Sequence, residues 1–161
     1  MRVIFLDVDG VLNYAYTKEF SPGSGCIGVA QEPLEALAEL VKRTDATVVL
    51  TSTWKRGWSR TPEFRSKDGQ YLHDRLLSVG VELFDKTTDQ MFDRGRGIHE
   101  WLSQHPEVTN WVVLDDDIFE DYKTYGITSH IVQTSFAGGG FKQKHIPRCE
   151  KLLTKENKNG N

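Results

Sequence analysis

Two aspartates stand one residue apart at positions 7 and 9, directly behind the apolar run Val3-Ile4-Phe5-Leu6 and directly before Gly10. A single Asp at a strand end is commonly a turn former or a helix cap. Two carboxylates this close repel unless a proton or a cation lies between them. The pair therefore asks for a metal ion or a phosphoryl group. Three further groups have the types such a site needs. Thr51-Ser52-Thr53-Trp54 follows a second apolar run and offers hydroxyls and backbone amides, and Asp115-Asp116-Asp117 ends the run Trp111 to Leu114. Arg94-Gly95-Arg96-Gly97-Ile98 opens a helical pattern and offers a cation. A phosphoryl group needs an oxygen nucleophile, Mg²⁺ on oxygen ligands, and donors for its equatorial oxygens. An EF-hand Ca²⁺ loop would need a third ligand before the glycine, a closing Glu and flanking helices, none of which this spacing supplies.

Groups so scattered in sequence meet only if the elements carrying them end together. Strand-like runs cover Val3 to Leu6, Thr47 to Leu50, Val81 to Phe84, Trp111 to Leu114 and His130 to Gln133. Between them, Pro33 to Val41, Tyr71 to Val79 and Ile98 to His105 carry apolar residues at helical spacing, with Gly80 and Pro106 as stops. Alternating strands and helices predict a Rossmann-like, doubly wound and mainly parallel α/β sheet of about five strands with helices on both faces. In such sheets ligands bind beyond the carboxyl ends of the strands, near a switch in strand order. The expected organisation is one domain over residues 1–154, followed by a polar tail from Lys155 to Asn161.

Composition narrows the classes. At 161 residues the chain is long enough to bury a core without disulfides or a structural metal. Cys26 and Cys149 form no CxxC pattern and read as reduced thiols, so a cytoplasmic location is expected. No run approaches the roughly 20 apolar residues of a membrane span, so no membrane partner is expected. With a net charge of −3, no global field draws the chain to a polyanion. The five histidines form no HExxH-like pair, and His99 and His105 are expected to decorate one helix.

Asp7-Val8-Asp9-Gly10-Val11, Thr51, the basic residue opening a helix and the acidic pair Asp115-Asp116 together resemble the four motifs of the haloacid dehalogenase-like (HAD) superfamily of phosphohydrolases. The wording DVDGVLN, LTSTW, RGxxI, EWL and LDDD is most similar to small domains linked with bacterial RNA-repair proteins, with polynucleotide end phosphatases as more distant relatives. The resemblance implies Asp7 as the nucleophile that forms an aspartyl-phosphate and Asp9 as general acid and base, its backbone carbonyl also reaching Mg²⁺. It implies Thr51, helped by Ser52, on a phosphoryl oxygen. Mg²⁺ would rest on Asp7, Asp9 and Asp116, with Asp115 close by, directly or through water. Lys is usual at the third motif, and this chain offers Arg94 or Arg96. The spacing basic-Gly-x-x-apolar favours Arg94, and the exchange is not neutral, since a guanidinium is no compact point charge.

Superfamily members often carry a cap domain, but Asn13 to about Gln31 is too short to hold a helical one. A capless, open site is expected, fit for a bulky phosphorylated end. Lys55, Arg56 and Trp58, within a basic and aromatic stretch that continues to Arg60, Arg65 and Lys67, offer a rim that stacks bases and neutralises phosphates. The same stretch also reads as a solvated loop with its Trp residues on the core. Ala137 to Lys142 reads as a flexible glycine-rich loop. The leading function is a Mg²⁺-dependent phosphatase of a nucleotide or polynucleotide phosphate end, with no obligate protein partner. A phosphatase of a small metabolite or a phosphoprotein is the alternative within enzymes. Outside enzymes stand a phospho-accepting receiver domain, which would carry its Asp after the third strand, and a catalytically silent binding module.

Overall fold

The computed structural model describes residues 1–89 and 92–155. The strands are β1 (Arg2–Leu6), β2 (Thr47–Leu50), β3 (Leu83–Lys86), β4 (Asn110–Asp115) and β5 (Ile131–Gln133). The helices are α1 (Gln31–Thr44), α2 (Lys67–Leu77), α3 (Arg94–Ser103), α4 (Asp121–Thr124) and α5 (Ile146–Thr154). All strand pairs are parallel, in the order β3-β2-β1-β4-β5. The fold is the expected Rossmann-like α/β sheet. The order reverses at β1, which pairs with both β2 and β4, and this is the switch point.

Side chains along a strand alternate between faces, and the two cores follow that period. Ile4, Leu6, Val48, Leu50, Val112 and Leu114 bury one face under α1, α2 and α5, through residues such as Leu37, Leu72 and Cys149. Val3, Phe5, Val49 and Val113 bury the other face under Ile98 and Trp101 of α3 and Tyr122 of α4. Strands buried on both faces read as continuous apolar runs, which is why their sequence pattern is so plain.

Register does the rest. Leu6 pairs with Leu50 on one side and with Leu114 on the other. The next residues, Thr51, Asp7 and Asp115, therefore stand side by side at the carboxyl edge. The ladder continues into them: the Thr51 amide donates to the Leu6 carbonyl (2.9 Å) and the Asp7 amide to the Leu114 carbonyl (3.0 Å). With neighbouring parallel strands about 4.8 Å apart, three functional side chains share one row.

Two expectations need correction. The third strand runs two residues later than the apolar pattern suggests. The chain leaves α2 through Gly80 at φ +78°, and the Val81 amide turns back to the Leu76 carbonyl. The strand then ends at Lys86, and Asp85 lies within it, accepting a hydrogen bond from the Trp101 indole (2.8 Å). No receiver-type aspartate ends that strand. The glycine-rich stretch after β5 is packed rather than loose: the Phe141 amide donates to the Val11 carbonyl (2.8 Å) and Phe141 is buried. A Cβ on Gly140 would lie 2.7 Å from that same carbonyl. The helix α5 was not anticipated. Residues 14–30, where a cap would be inserted, form loops with one antiparallel bridge, Phe20 to Ile27. The expected polar tail, Lys155 apart, lies outside the described residues. No described helix is long and apolar enough to cross a membrane.

Candidate active site

Asp7 is the first residue past β1 and is 5% exposed. Its carboxylate lies 3.2 Å from Arg94 Nη1, and the same nitrogen donates to Asp115 Oδ2 at 2.7 Å. Burial lifts the Asp7 carboxyl to about 7, with Arg94 pulling it down and Asp115 pushing it up. Burial works against the Arg94 charge too, but Asp7 and Asp115 hold it above its ordinary value. Its guanidinium also sits 4.3 Å from the centre of the Phe119 ring. Arg96, on the outer side of the same helix turn, pairs with Asp93 and with Glu100 (3.4 Å) instead. Of the two arginines, Arg94 is the one that faces the carboxylates.

Asp115 is fully buried. Besides Arg94 it accepts the Tyr122 hydroxyl (2.7 Å) and the Asp117 amide (3.0 Å). Asp116 is half-buried, and burial, with Asp115 and Asp117 beside it, raises its carboxyl. Ligand oxygens of Asp7, Asp115 and Asp116 come within 4.8 Å of one another. An all-carboxylate group of this size suits a hard divalent cation such as Mg²⁺. Asp9 is exposed at the mouth, its Oδ1 held by Asn13 Nδ2 (2.9 Å) and its Oδ2 by Trp54 Nε1 (3.2 Å). Gly10 sits at φ +76°, and a Cβ there would fall 2.0 Å from Asp116 Oδ2. Only glycine lets the loop after β1 pass so close to the loop after β4.

Thr51 is 1% exposed, and among the described residues its hydroxyl has no hydrogen-bond partner. Leaving a buried hydroxyl unmade costs free energy, so an orphan at this edge marks a place for a ligand oxygen. Ser52 Oγ accepts the Trp54 amide (3.3 Å) and caps the short 3₁₀ turn Thr53–Arg56.

The basic, aromatic rim does not form as expected. Trp58 is 2% exposed and belongs to the core, so its ring has no open face for a base. Lys55 is 8% exposed and pairs with Asp89 (2.5 Å) and Thr87 Oγ1 (3.2 Å). Burial lowers its ammonium, an effect Asp89 partly offsets. Arg60 is spent on the Phe84 carbonyl (2.6 Å) and ring, and Arg65 on the Ser59 carbonyl (2.7 Å). Arg56 alone of the three proposed contacts stays exposed.

Four residues outside the expected set complete the site. Asn13 is fully buried and ties the Gly10 amide (2.8 Å), Asp9 and the Gly28 carbonyl (3.0 Å) into one loop. An Asn three residues past a loop glycine is a signal the sequence did carry. Trp54 holds Asp9, and Tyr122 holds Asp115. Asp121 accepts the Gly95 (3.0 Å) and Arg96 (2.9 Å) amides and so caps α3 from the first turn of α4. No local pattern announces those last three: Trp54 and Asp121 meet partners 45 and 26 positions away, and Tyr122 reaches Asp115, seven residues back, only through the turn that α4 makes.

Comparison with known proteins agrees with this geometry. The family model described as the HAD domain in Swiss Army Knife RNA repair proteins matches residues 3–146. No curated protein matches by sequence. Among solved structures, the chain is similar to the D,D-heptose 1,7-bisphosphate phosphatase of B. bronchiseptica, crystallised with magnesium and phosphate. That likeness has 17% identity, a TM-score of 0.56, and coverage of 97% of this chain and 100% of the other. At such identity it speaks for the fold.

Proposed function

The chain belongs to the family of HAD domains in Swiss Army Knife RNA repair proteins, and from that premise we propose that it is a Mg²⁺-dependent phosphomonoester hydrolase. Its substrate is a nucleotide or a polynucleotide phosphate end, and its intermediate is an aspartyl-phosphate on Asp7. The observation that carries this reading is the row at the switch point. There a buried carboxylate (Asp7), an unpartnered buried hydroxyl (Thr51), a buried guanidinium (Arg94) and an acidic group around Asp116 converge.

Asp7, Asp115 and Asp116 fit a hard cation, which when bound would neutralise the carboxylates and the charge on the phosphoryl oxygens. Asp7 attacks phosphorus, and the ester oxygen leaves with a proton from Asp9. Asn13 and Trp54 aim that carboxyl, one donor on each oxygen. Thr51 donates its free hydroxyl to an equatorial oxygen. Arg94 pulls the Asp7 carboxyl down against its burial, which favours the ionised nucleophile, and adds positive charge where the transition state gathers negative charge. Asp9, now a carboxylate, then takes a proton from the water that attacks phosphorus and frees Asp7.

Steady-state turnover of an aryl phosphate, with Mg²⁺ and with EDTA, tests the hydrolase reading. Mg²⁺-dependent turnover supports it. A single labelling event without turnover would support a receiver, and no reaction a silent binder. A panel of nucleoside phosphates, 3′- and 5′-phosphorylated oligonucleotides, sugar phosphates and phosphopeptides then separates the substrate classes.

A further inference from the structure

With Trp58 in the core and Lys55 paired, the stretch from Trp54 to Lys67 offers little to a nucleotide. Open space beside the phosphoryl site lies on the other flank, past the carboxyl end of β5. A pocket of about 620 Å³ opens there, lined by Asp116, Gln133, Ser135, Phe136, Lys144 and His145 among others. Small-molecule sites span roughly 300–1,000 Å³, so this one is far larger than a phosphate alone requires. Asp116 belongs both to this pocket and to the acidic group, so the pocket adjoins the phosphoryl site and can take the part of a substrate next to the transferred group.

We propose that this pocket receives the nucleoside adjoining the scissile phosphate, with its base against Phe136 and a neighbouring phosphate at Lys144. The inference rests on the phosphatase reading of the Asp7 site. Phe136 is 37% exposed, unlike Trp58, and its backbone carbonyl is fixed by the Ala15 amide (3.0 Å). The ring is thus available on an anchored loop. Lys144 is exposed and takes part in none of the ion pairs among the described residues. His145 Nδ1 accepts the Lys142 amide (2.9 Å), which leaves the proton on Nε2 as a free donor. Ser135 Oγ accepts the Gly138 amide (3.0 Å) and keeps its own hydrogen to give. Two neutral donors, one cation and one aromatic face match a ribose, a phosphate and a base. The residues are exposed at the rim, so a strand can continue into solvent.

The test compares a nucleoside monophosphate, a hexose monophosphate and acetyl phosphate on the parent protein and on Phe136→Ala, Phe136→Leu and Lys144→Ala. Acetyl phosphate is too small to reach either residue and reports the phosphoryl site alone. Losing a base stack is expected to raise the nucleotide KM about tenfold in both Phe136 variants, since Leu supplies bulk but no π face. Acetyl phosphate kinetics should hold within about twofold. Lys144→Ala should raise KM for a dinucleotide carrying a second phosphate more than for the monophosphate. An unchanged nucleotide KM in Phe136→Ala, or an equal loss for acetyl phosphate, overturns the pocket assignment. A preferred hexose phosphate with the same Phe136 dependence overturns the nucleoside. If no phosphate ester is turned over, the phosphatase reading fails by itself. Equilibrium binding of the nucleotide to the parent and to Phe136→Ala then still decides the pocket.

Discussion

Burial of the Asp7 carboxylate carries a cost, and the proposed chemistry depends on that residue. Its carboxyl has a folded-state value of about 7 against an ordinary 3.8, driven by burial. The folded protein therefore binds a proton there more tightly than the unfolded chain does between about pH 4 and 7. The stability of the metal-free protein should fall as pH rises through that window. Asp7→Asn removes the buried charge, so in EDTA its melting temperature should decline less across that window than that of the parent, with the raised Asp116 carboxyl accounting for part of what remains. Turnover should drop by several orders of magnitude in the same variant. Melting curves across pH, read beside steady-state rates, check both. A second residue-scale prediction concerns Trp54, whose indole N–H holds Asp9. Trp54→Phe keeps the ring and removes that donor. It should lower kcat more for esters with poor leaving groups than for an aryl phosphate, at unchanged Mg²⁺ affinity by calorimetry. Equal losses on both substrates would mean that Trp54 merely supports the loop.

At the scale of elements, the site is a consequence of strand register. Thr51, Asp7 and Asp115 line up because Leu50, Leu6 and Leu114 do. Those apolar runs are legible in the sequence, as are the carboxylates and hydroxyls that end them, so the row was legible too. The spacing of Gly95 and Ile98 favours Arg94 over Arg96, and Arg94 is the one whose guanidinium faces Asp7 and Asp115. Burial of Trp58 was not legible, because a tryptophan in a basic stretch looks the same whether a helix or water covers it. The pairing of Lys55 was hidden by the 34 positions that separate it from Asp89. The bounds of β3 were misread because the turn after Gly80 consumes Val81 and Glu82 before the strand starts at Leu83. The loops after β1 and β4 approach closely at Gly10, where any Cβ meets Asp116. Gly10→Ala should push the Asp116 side chain aside and weaken Mg²⁺ binding by at least about tenfold. The clash reaches the Asp116 Cβ (2.6 Å) as well as its carboxylate, and φ +76° adds backbone strain, so some stability should be lost as well. Calorimetric titration with Mg²⁺ and a circular dichroism spectrum separate the two effects.

For the whole molecule, charge and openness set the expectations. The chain carries a net charge of −3, and the arginines and lysine once expected at the mouth are mostly tied up in its own structure. Single-strand binding weakens with salt by about 0.7 log units for each phosphate contacted. If Arg56 and Lys144 are the cations that meet the strand, a phosphorylated oligonucleotide should show a slope of about two contacts. A steeper slope would point to a basic surface elsewhere. The central claim, a covalent phosphoryl group on Asp7, has its own direct measurement. Protein mixed with excess phosphate ester and Mg²⁺ is quenched in acid during the first turnovers, and its intact mass and peptides are read by mass spectrometry. The account predicts one phosphoryl adduct, located on the peptide containing Asp7, converted to homoserine at position 7 by borohydride and absent from Asp7→Asn. Turnover at full rate in Asp7→Asn, or an adduct on any other residue, would contradict it.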